Sequence, residues 1–584
     1  MSAVTPRLVR RQAPDDRALR NAGLHPLLAR TYAARGLTDP AQLDLDLAGL
    51  IPPQHLLHAD RAAQRLAQAL AEQQAILLIG DFDADGATSC ALAVRALRAC
   101  GATRVDYLVP NRFDYGYGLS PEIVALARER SPDLIITVDN GISSIDGVDA
   151  ANAAAIDVLV TDHHLPGEAM PDARIIVNPN QPDCDFPSKH LAGVGVIFYV
   201  MLALRRQLRD AGWFQQQGLA LPHLGQFLDL VALGTVADVV ALDHNNRILV
   251  QAGLKRIRAA RACPGIQALL AVAGRNATAL VAADLGFAVG PRLNAAGRLD
   301  DMSIGIECLL ADDESVALGY ARQLDQFNRD RRFIEQGMQD EALRLLARTE
   351  IDSVRAPAAL ALYDPGWHQG VVGILASRVK ERLHRPVIAF ASSGSGELKG
   401  SARSIPGIHI RDVLATIDAR HPGLVHRFGG HAMAAGLSLP ADRFDDFAQA
   451  LAAEVARVAR AEDLEAVLHS DGELAAEYFD LALAEELRAA GPWGQQFPEP
   501  LFDGRFRVAA QRLVGERHLK LTLELPGCGR QVDAIAFNID PAVWPDEEVQ
   551  ALHLVYRLDV NEFRGQRSLQ LIVVHLEAAV GLDV

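Results

Sequence analysis

Apolar positions along the chain change rhythm several times, and each change predicts a different kind of structure. Residues 1–50 carry a mixed polar and apolar pattern, clearest around Leu24 to Leu37, which predicts a helical cap on the adjoining domain. From about 70 to 180, short unbroken apolar runs alternate with stretches of helical spacing. The runs are Ala75–Ile79, Val105–Val109, Leu134–Val138, Val158–Val160 and Ile175–Val177. The intervening stretches include Ala87–Ala99 and Pro121–Arg130. Unbroken runs alternating with helices predict a parallel α/β sheet.

Residues 315–349 predict one long, polar-rich helix, with Leu324, Phe327, Ile334, Met338, Ala342 and Leu345 at steps of three, four and seven. A second α/β unit runs from about 356 to 460. Its strand candidates are Ala358–Leu362 and Val387–Phe390, and its glycine-rich segments are Gly394–Gly400 and Gly429–Gly430. The last stretch, about 468–584, turns to short alternating runs: Leu519–Leu525, Ala534–Phe537, His553–Val560 and Leu569–Val574. That pattern predicts a small all-β barrel.

With 584 residues, the chain has material for three or four domains. Hydrophobic residues at 49% and charged residues at 22% are ordinary for a globular protein. No apolar run reaches the length of a membrane span, and Met1–Asp16 lacks the apolar core of a signal peptide. Six cysteines without a CxxC pair fit neither a zinc ribbon nor a disulfide framework, and point to a reducing cytoplasm. The net charge of −16 argues on its face against a nucleic-acid partner. Net charge sums over every face, however, and carboxylates that hold divalent ions count as negative in the sum.

Ligands of open α/β sheets bind beyond the carboxyl ends of the strands. Here the first run ends in Gly80-Asp81-Phe82-Asp83-Ala84-Asp85-Gly86, the third in Val138-Asp139-Asn140-Gly141 and the fourth in Thr161-Asp162-His163-His164. In an extended chain Asp81, Asp83 and Asp85 would point the same way, a costly arrangement unless cations sit among them. Taken singly, a DxDxDG stretch is often a calcium or turn loop, an Asp-Asn-Gly a turn, and paired histidines incidental. Their conjunction at one rim predicts mixed Asp and His ligation of two Mn²⁺ or Mg²⁺ ions sharing an aspartate. Such a pair activates a water for in-line attack on a phosphate.

Asp83-x-Asp85, Asp139 and Asp162-His163-His164 resemble the first three motifs of the DHH phosphoesterases, and Gly234-Thr235-Val236-Ala237-Asp238 is similar to the family's last metal-binding aspartate. The resemblance implies Asp83, Asp85, Asp139, His163 and Asp238 as metal ligands, with Asp139 the bridge. It leaves Asp81 as a further ligand or flanking carboxylate, and His164 to orient the scissile phosphate or its attacking water.

Longer strings resemble the RecJ branch specifically. These are Pro110-Asn111-Arg112-Phe113 with Gly116-Tyr117-Gly118, Asn178-Pro179-Asn180, Leu191-Ala192-Gly193-Val194-Gly195 and Pro291-Arg292-Leu293-Asn294-Ala295-Ala296-Gly297-Arg298. In the second unit, Gly366-Trp367-His368-Gln369-Gly370, Gly400-Ser401-Ala402-Arg403-Ser404 and Phe428-Gly429-Gly430-His431 resemble the DHHA1 domain. The implied substrate-binding residues are Arg112, Tyr117, Arg292, Asn294, Arg298, His368, Gln369, Ser401, Arg403, Gly429, Gly430 and His431. Arginine forks and bare glycine backbone suit phosphate recognition, though any one of these arginines alone reads as an ordinary surface residue. In the last segment Arg512, Arg517, Lys520, Arg530, Arg557, Arg564 and Arg567, with Tyr556 and Phe563 as stacking surfaces, suit an OB-fold that holds single strands.

The resulting expectation is an α/β enzyme with a helical cap (1–50), a DHH catalytic domain (51–314), a connecting helix (315–352), a DHHA1 domain (353–466) and an OB-like nucleic-acid-binding domain (467–584). The DHH and DHHA1 lobes are expected to face each other across a cleft. By resemblance the activity is stepwise 5′-to-3′ hydrolysis of single-stranded DNA to 5′-mononucleotides, in recombination and repair, with single-strand-binding protein and a helicase as partners. The rivals are an oligoribonuclease or cyclic-dinucleotide phosphodiesterase of the same superfamily, an inorganic pyrophosphatase, and a non-catalytic scaffold. Chain length and the barrel disfavour the first two, and the complete ligand set disfavours the last.

Overall fold

The computed structural model describes residues 5–111, 115, 118–348, 356–394, 396–541, 543–546, 548–563 and 565–579. Five fully parallel strands form the first sheet: β1 (Ile76–Gly80), β2 (Val105–Leu108), β3 (Leu134–Val138), β4 (Asp157–Thr161) and β5 (Ile175–Val177). Their spatial order is β2-β1-β3-β4-β5. The chain therefore leaves β1 in one direction and returns on its other side at β3. The crevice outside the ends of β1 and β3 is the switch point where such sheets bind ligands. β1 and β3 are buried at every position, as unbroken Ile and Leu runs require.

The helices α1 (Ala84–Ala99), α2 (Gly193–Asp210) and α3 (Leu228–Ala237) are largely buried and pack together beside this sheet. α4 (Gly290–Leu299) follows a single π-helical turn, Leu285–Val289. The predicted long helix is α5 (Glu314–Arg348), with Leu324, Met338 and Ala342 buried as expected. Leu346, not Leu345, completes the stripe, and Leu345 is 38% exposed. Among the described residues up to Leu50 there are two short helices, Arg17–Asn21 and Pro26–Ala33, a four-residue strand and two single 3-10 turns.

A second, mixed sheet contains β6 (Leu360–Tyr363), β7 (Val387–Ser392), β8 (Glu397–Arg403), β9 (Arg427–Gly430) and β10 (Ala434–Pro440), in the order β9-β10-β8-β7-β6. Only β6 and β7 pair in parallel. Glu397–Gly400 of the first glycine-rich segment, and Gly429–Gly430, are thus strand. The closed barrel is built from β11 (Phe502–Val514), β12 (His518–Glu524), β13 (Gln531–Ala536), β14 (Ala551–Phe563) and β15 (Gln566–Ala578), in the order β11-β12-β13-β15-β14. Leu519, Leu521 and Leu523 alternate inward along β12, as a period of two demands.

The chain separates into two compact units, Met1–Val9 with Gln326–His469, and Arg10–Asp325 with Ser470–Val584. The parallel sheet and the barrel belong to the same unit. All six cysteines are unbridged. Among the described residues no helix is long and apolar enough to cross a membrane.

Candidate active site

The acidic segment is not the extended ladder its spacing suggests. β1 ends at Gly80, and Asp83 is already the N-cap of α1, its carboxylate accepting from the Asp85 N–H at 2.9 Å and the Gly86 N–H at 3.0 Å. Asp85 lies in the first helical turn and points to the start of α2, where the N–H groups of Gly193 and Val194 donate to its two oxygens at 2.6 and 2.9 Å. Strand, cap and helix thus aim three successive carboxylates differently.

They nonetheless meet the residues from the other strands. Ligand atoms of Asp81, Asp83 and Asp139 lie within 4.8 Å of one another, as do those of Asp139, His163 and His164, and those of Asp85, His163 and Asp238. His163 Nε2 stands 3.1 Å from Asp139 Oδ1 and 3.4 Å from Asp238 Oδ2. Asp139 holds a left-handed backbone, φ 62°, which turns the chain at the end of β3. All seven residues assigned to catalysis from sequence are therefore gathered at one rim.

The electrostatics of this rim are unfavourable without cations. Asp85 and Asp139 are each 1% exposed. Two unit charges about 4.8 Å apart repel by roughly 3–4 kcal/mol at an effective dielectric of about 20. Burial, then Asp83, pushes Asp85 up to about 7, against the pull of the Val194 and Gly193 N–H groups. Burial, with Asp85 and Asp83, likewise raises Asp139 and Asp238 well above the ordinary carboxylate range. An oxygen-rich, imidazole-tipped donor set of this kind suits Mn²⁺ or Mg²⁺.

Close packing holds the cluster shut. A methyl group on Gly193 would lie 2.6 Å from Asp139 Cβ, one on Gly234 2.8 Å from Asp85 Oδ1, and one on Gly86 2.4 Å from the Asp81 carbonyl. Each of these glycines lets a backbone approach that a side chain would forbid.

Several residues without an assigned role frame the ligands. Burial alone would raise Asp162 and lower His164, but the 2.7 Å hydrogen bond from His164 Nδ1 to Asp162 reverses both shifts. Asp162 also accepts from the N–H groups of His163, His164 and Ile142 at 2.7, 3.1 and 2.9 Å. Asn178 donates to the His164 carbonyl at 2.9 Å and Asn180 to the His163 carbonyl at 2.7 Å. Asn140 donates to the carbonyls of Ile79 and Val138, tying β1 to β3 at 3.0 and 2.9 Å. The Asn178-Pro179-Asn180 string was the available signal, but its partners become visible only in the fold.

The residues expected to bind substrate divide into groups. Arg112 and Tyr117 lie outside the described residues. Arg292 is buried, bonded to Asp325 at 2.9–3.0 Å and to the Ala288 carbonyl at 2.6 Å. Asn294 accepts from the Ala84 N–H at 2.7 Å, and so braces the carboxylate segment. Arg298 is half-buried in the last turn of α4.

In the other unit, Ser401 pairs with Gly436, which pairs with Gly429, and nothing lies within 4 Å of where a Cβ on either glycine would be. This leaves a strip of bare backbone beside Ser401. Arg403 donates to Ser401 Oγ at 3.2 Å, and Gly373 packs against both side chains. Gln369 donates to the Ser392 carbonyl at 2.7 Å, His368 Nδ1 accepts from the Gly370 N–H at 3.1 Å, and the His431 N–H bonds to Ala434 across the turn after Gly430 at 2.8 Å.

On the barrel the stacking expectation needs correction. Tyr556 is 1% exposed and packs among Phe479, Phe502 and Phe506, so it is a core residue. Lys520, Arg557 and Arg567 are paired with Asp533, Glu499 and Glu485 at 2.7, 2.6 and 2.9 Å, and Arg530 donates to the Phe479 carbonyl at 2.7 Å. Arg512 and Arg517 are exposed, while Arg564 and the Phe563 side chain lie outside the described residues.

Comparison with known proteins agrees with this architecture. Residues 75–235 match the DHH family N-terminal domain, 356–457 the DHHA1 domain and 470–575 the RecJ OB domain. The chain is 60% identical to the single-stranded-DNA-specific exonuclease RecJ of Dickeya dadantii, over 95% of this chain and 96% of the relative. It is 56% identical to RecJ of Escherichia coli K12, over 97% and 98% of the two chains. The crystal structure of Thermus thermophilus RecJ in complex with Mn²⁺ superimposes with a TM-score of 0.79 at 30% identity, covering 99% of this chain and 80% of that one. The same protein's complex with Mg²⁺ gives a TM-score of 0.73 at 28% identity, with 99% and 79% covered.

Proposed function

The chain belongs to the RecJ family, and from that premise we propose that it is a single-stranded-DNA-specific exonuclease dependent on Mn²⁺ or Mg²⁺. The observation that carries the reading is the rim of Asp81, Asp83, Asp85, Asp139 and Asp238, of which Asp81, Asp85 and Asp139 are buried and the other two half-buried. Their ligand atoms lie within 4.8 Å of one another in three groups, and His163 and His164 reach into the cluster.

Asp83, Asp85, Asp139, His163 and Asp238 would hold the two ions; Asp139 and His163 each belong to two of the three ligand groups, and of these Asp139, with two carboxylate oxygens, would be the shared ligand. Both Asp85 oxygens already accept a backbone N–H, and each keeps a second lone pair for a cation. When bound, such ions would supply positive charge to the phosphate and would lower the pKa of a nearby water. His164, fixed in tautomer by Asp162, presents its Nε2 toward the phosphate or the attacking water. Asp162, Asn178, Asn180 and Asn140 hold the strand ends in place so that little reorganises during turnover. Arg298 in one unit grips phosphate, as do Arg403, Ser401 and the bare backbone at Gly429 in the other unit taken by itself, and Arg292 serves the fold.

Digestion runs 5′ to 3′ and releases 5′-mononucleotides in DNA recombination and repair, in the cytoplasm. Single-strand-binding protein and a helicase are the expected partners. Within the chain, 51–314 carries the chemistry, 353–466 grips substrate and 467–584 guides the strand. Incubation with Mn²⁺ or Mg²⁺ and a panel of 5′- and 3′-labelled single strands, duplex DNA, short RNA, a cyclic dinucleotide and pyrophosphate tests this reading. Mononucleotide release from the 5′ end of single-stranded DNA alone is expected. Preferential turnover of RNA, the cyclic dinucleotide or pyrophosphate would refute it.

A further inference from the structure

Phe287 is 81% exposed, an unusual state for the side chain of a phenylalanine. It sits in the π-helical turn Leu285–Val289 that leads directly into α4. π turns within helices occur frequently at functional sites.

The surroundings of this helix are well defined. A methyl on Gly286 would lie 3.2 Å from Val236 Cγ1, and one on Gly290 3.1 Å from Ala237 Cβ. Asn294 bonds to the Ala84 N–H at 2.7 Å, and a methyl on Gly297 would lie 1.8 Å from the Phe82 carbonyl oxygen. One face of the helix is therefore pressed along the two segments that deliver Asp238, Asp83 and Asp85. Steps of about 100° per residue in the α-helix, and somewhat less in the π turn, place Phe287, Pro291 and Arg298 together on the adjacent stripe, roughly a quarter turn away. Phe287 and Arg298 are about 16 Å apart along the axis at about 1.5 Å per residue, a span of a few nucleotides. Val239, directly after Asp238, is itself 62% exposed.

We propose that Phe287 is a stacking platform for a nucleobase of the single strand whose backbone Arg298 grips at the metal rim, an inference that rests on the exonuclease reading above. An exposed aromatic ring costs free energy in water and recovers it against any base, because every base has an apolar face. The occupant is a single strand and not a duplex, since a base inside a duplex is stacked on its neighbours on both faces. Such a platform would set the angle at which the strand enters the rim without reading its sequence.

The test uses the full chain with Ca²⁺ in place of Mn²⁺, the strands checked by gel for cleavage. Affinity is measured for an intact strand and for a set carrying two adjacent abasic nucleotides walked inward from the 5′ end. Phe287→Ala should weaken binding of the intact strand about five- to a hundredfold, in line with stacking energies measured by alanine substitution. One member of the abasic set should show the same loss with the wild-type protein, and there Phe287→Ala should change nothing more. Phe287→Trp should keep affinity, and its fluorescence should fall on strand binding. Unchanged affinity of Phe287→Ala for the intact strand overturns the proposal. So does an equal loss on intact and abasic strands, or a shift of oligomeric state with Phe287→Ala in size exclusion, which would make the ring a contact between copies. If wild type hydrolyses no single strand in Mn²⁺, the exonuclease reading itself has failed, and that result is separate from any of these.

Discussion

Asp503 in the barrel and Asp139 on the rim of the parallel sheet are buried alike, 0% and 1% exposed, yet their surroundings are opposite. Asp503 receives Arg10 through Nε and Nη2 at 3.1 and 2.6 Å, is bonded by the Ser470 hydroxyl, and has His553 Nε2 at 3.7 Å. Burial alone would raise its pKa, but Arg10 and Ser470 outweigh burial and hold the carboxyl below its ordinary value. Nearby Asp471 is matched in the same way by Arg35 at 2.8 and 3.0 Å. Asp139 has four other carboxylates and His163 around it, and its pKa is driven up. A buried carboxylate matched by a cation of the chain is a structural tie. A cluster of carboxylates that repel one another is an excess of negative charge that external cations balance.

The comparison is broken most severely at Asp139. Asp139→Ala should cut hydrolysis of single-stranded DNA by roughly a thousandfold or more, equivalent to about 4 kcal/mol of barrier. Melting in EDTA should not fall, because the variant loses repulsion as well as a ligand. Near-normal turnover in a folded variant would remove Asp139 from the metal centre.

Asp503→Ala should show the reverse: normal metal affinity, but lower stability by about 2–3 kcal/mol in urea unfolding at pH 7, as a buried hydrogen-bonded charge is lost. Because the folded-state pKa of Asp503 is depressed, its contribution is complete above the unfolded value of about 4 and disappears as pH falls through the folded value. The gap between wild type and variant should therefore narrow below about pH 4. A gap independent of pH would mean the carboxylate is not what stabilises the joint.

The same contrast separates the arginines of α4. Arg298→Ala, like Arg403→Ala in the other unit, should weaken strand binding in Ca²⁺ about ten- to a hundredfold with melting unchanged, the loss expected for charge-assisted hydrogen bonds. Arg292→Ala should lower the melting temperature instead, because it removes a buried ion pair with Asp325. The opposite assignment of effects would exchange their roles. The smallest change is expected on the barrel. Arg512→Ala combined with Arg517→Ala should make the dependence of log affinity on log salt shallower by about 1.4, at roughly 0.7 per phosphate contact. An unchanged slope would place these two exposed cations off the strand's path.

Much of this was legible from the chain. The strand Ile175–Val177 and the long helix stood out because their apolar period is unbroken, and the Asp and His ligands because they end consecutive runs. β11 escaped notice, since Phe502–Val514 alternates too irregularly to mark a strand. The trajectory from Asp81 to Asp85 was misjudged as extended because helix capping by Asp83 depends on where α1 begins. Arg292 resembled a phosphate ligand until Asp325, thirty-three residues away, appeared beside it. Asn294 finds its partner 210 residues earlier, at Ala84. Tyr556 lies on a strand whose inward face is set by the barrel's closure, which no local pattern reveals.

The most direct test measures melting of wild type and Asp139→Asn in EDTA and in Mn²⁺, with DNA hydrolysis assayed on the same samples. If external cations complete the rim, the variant should melt higher than wild type in EDTA, where it relieves repulsion. In Mn²⁺ the order should reverse, since ions bound to the folded state stabilise wild type by mass action, and only that sample should digest single-stranded DNA. Wild type melting at the same temperature in EDTA and in saturating Mn²⁺, with Asp139→Asn indistinguishable from it and equally active, would contradict the account.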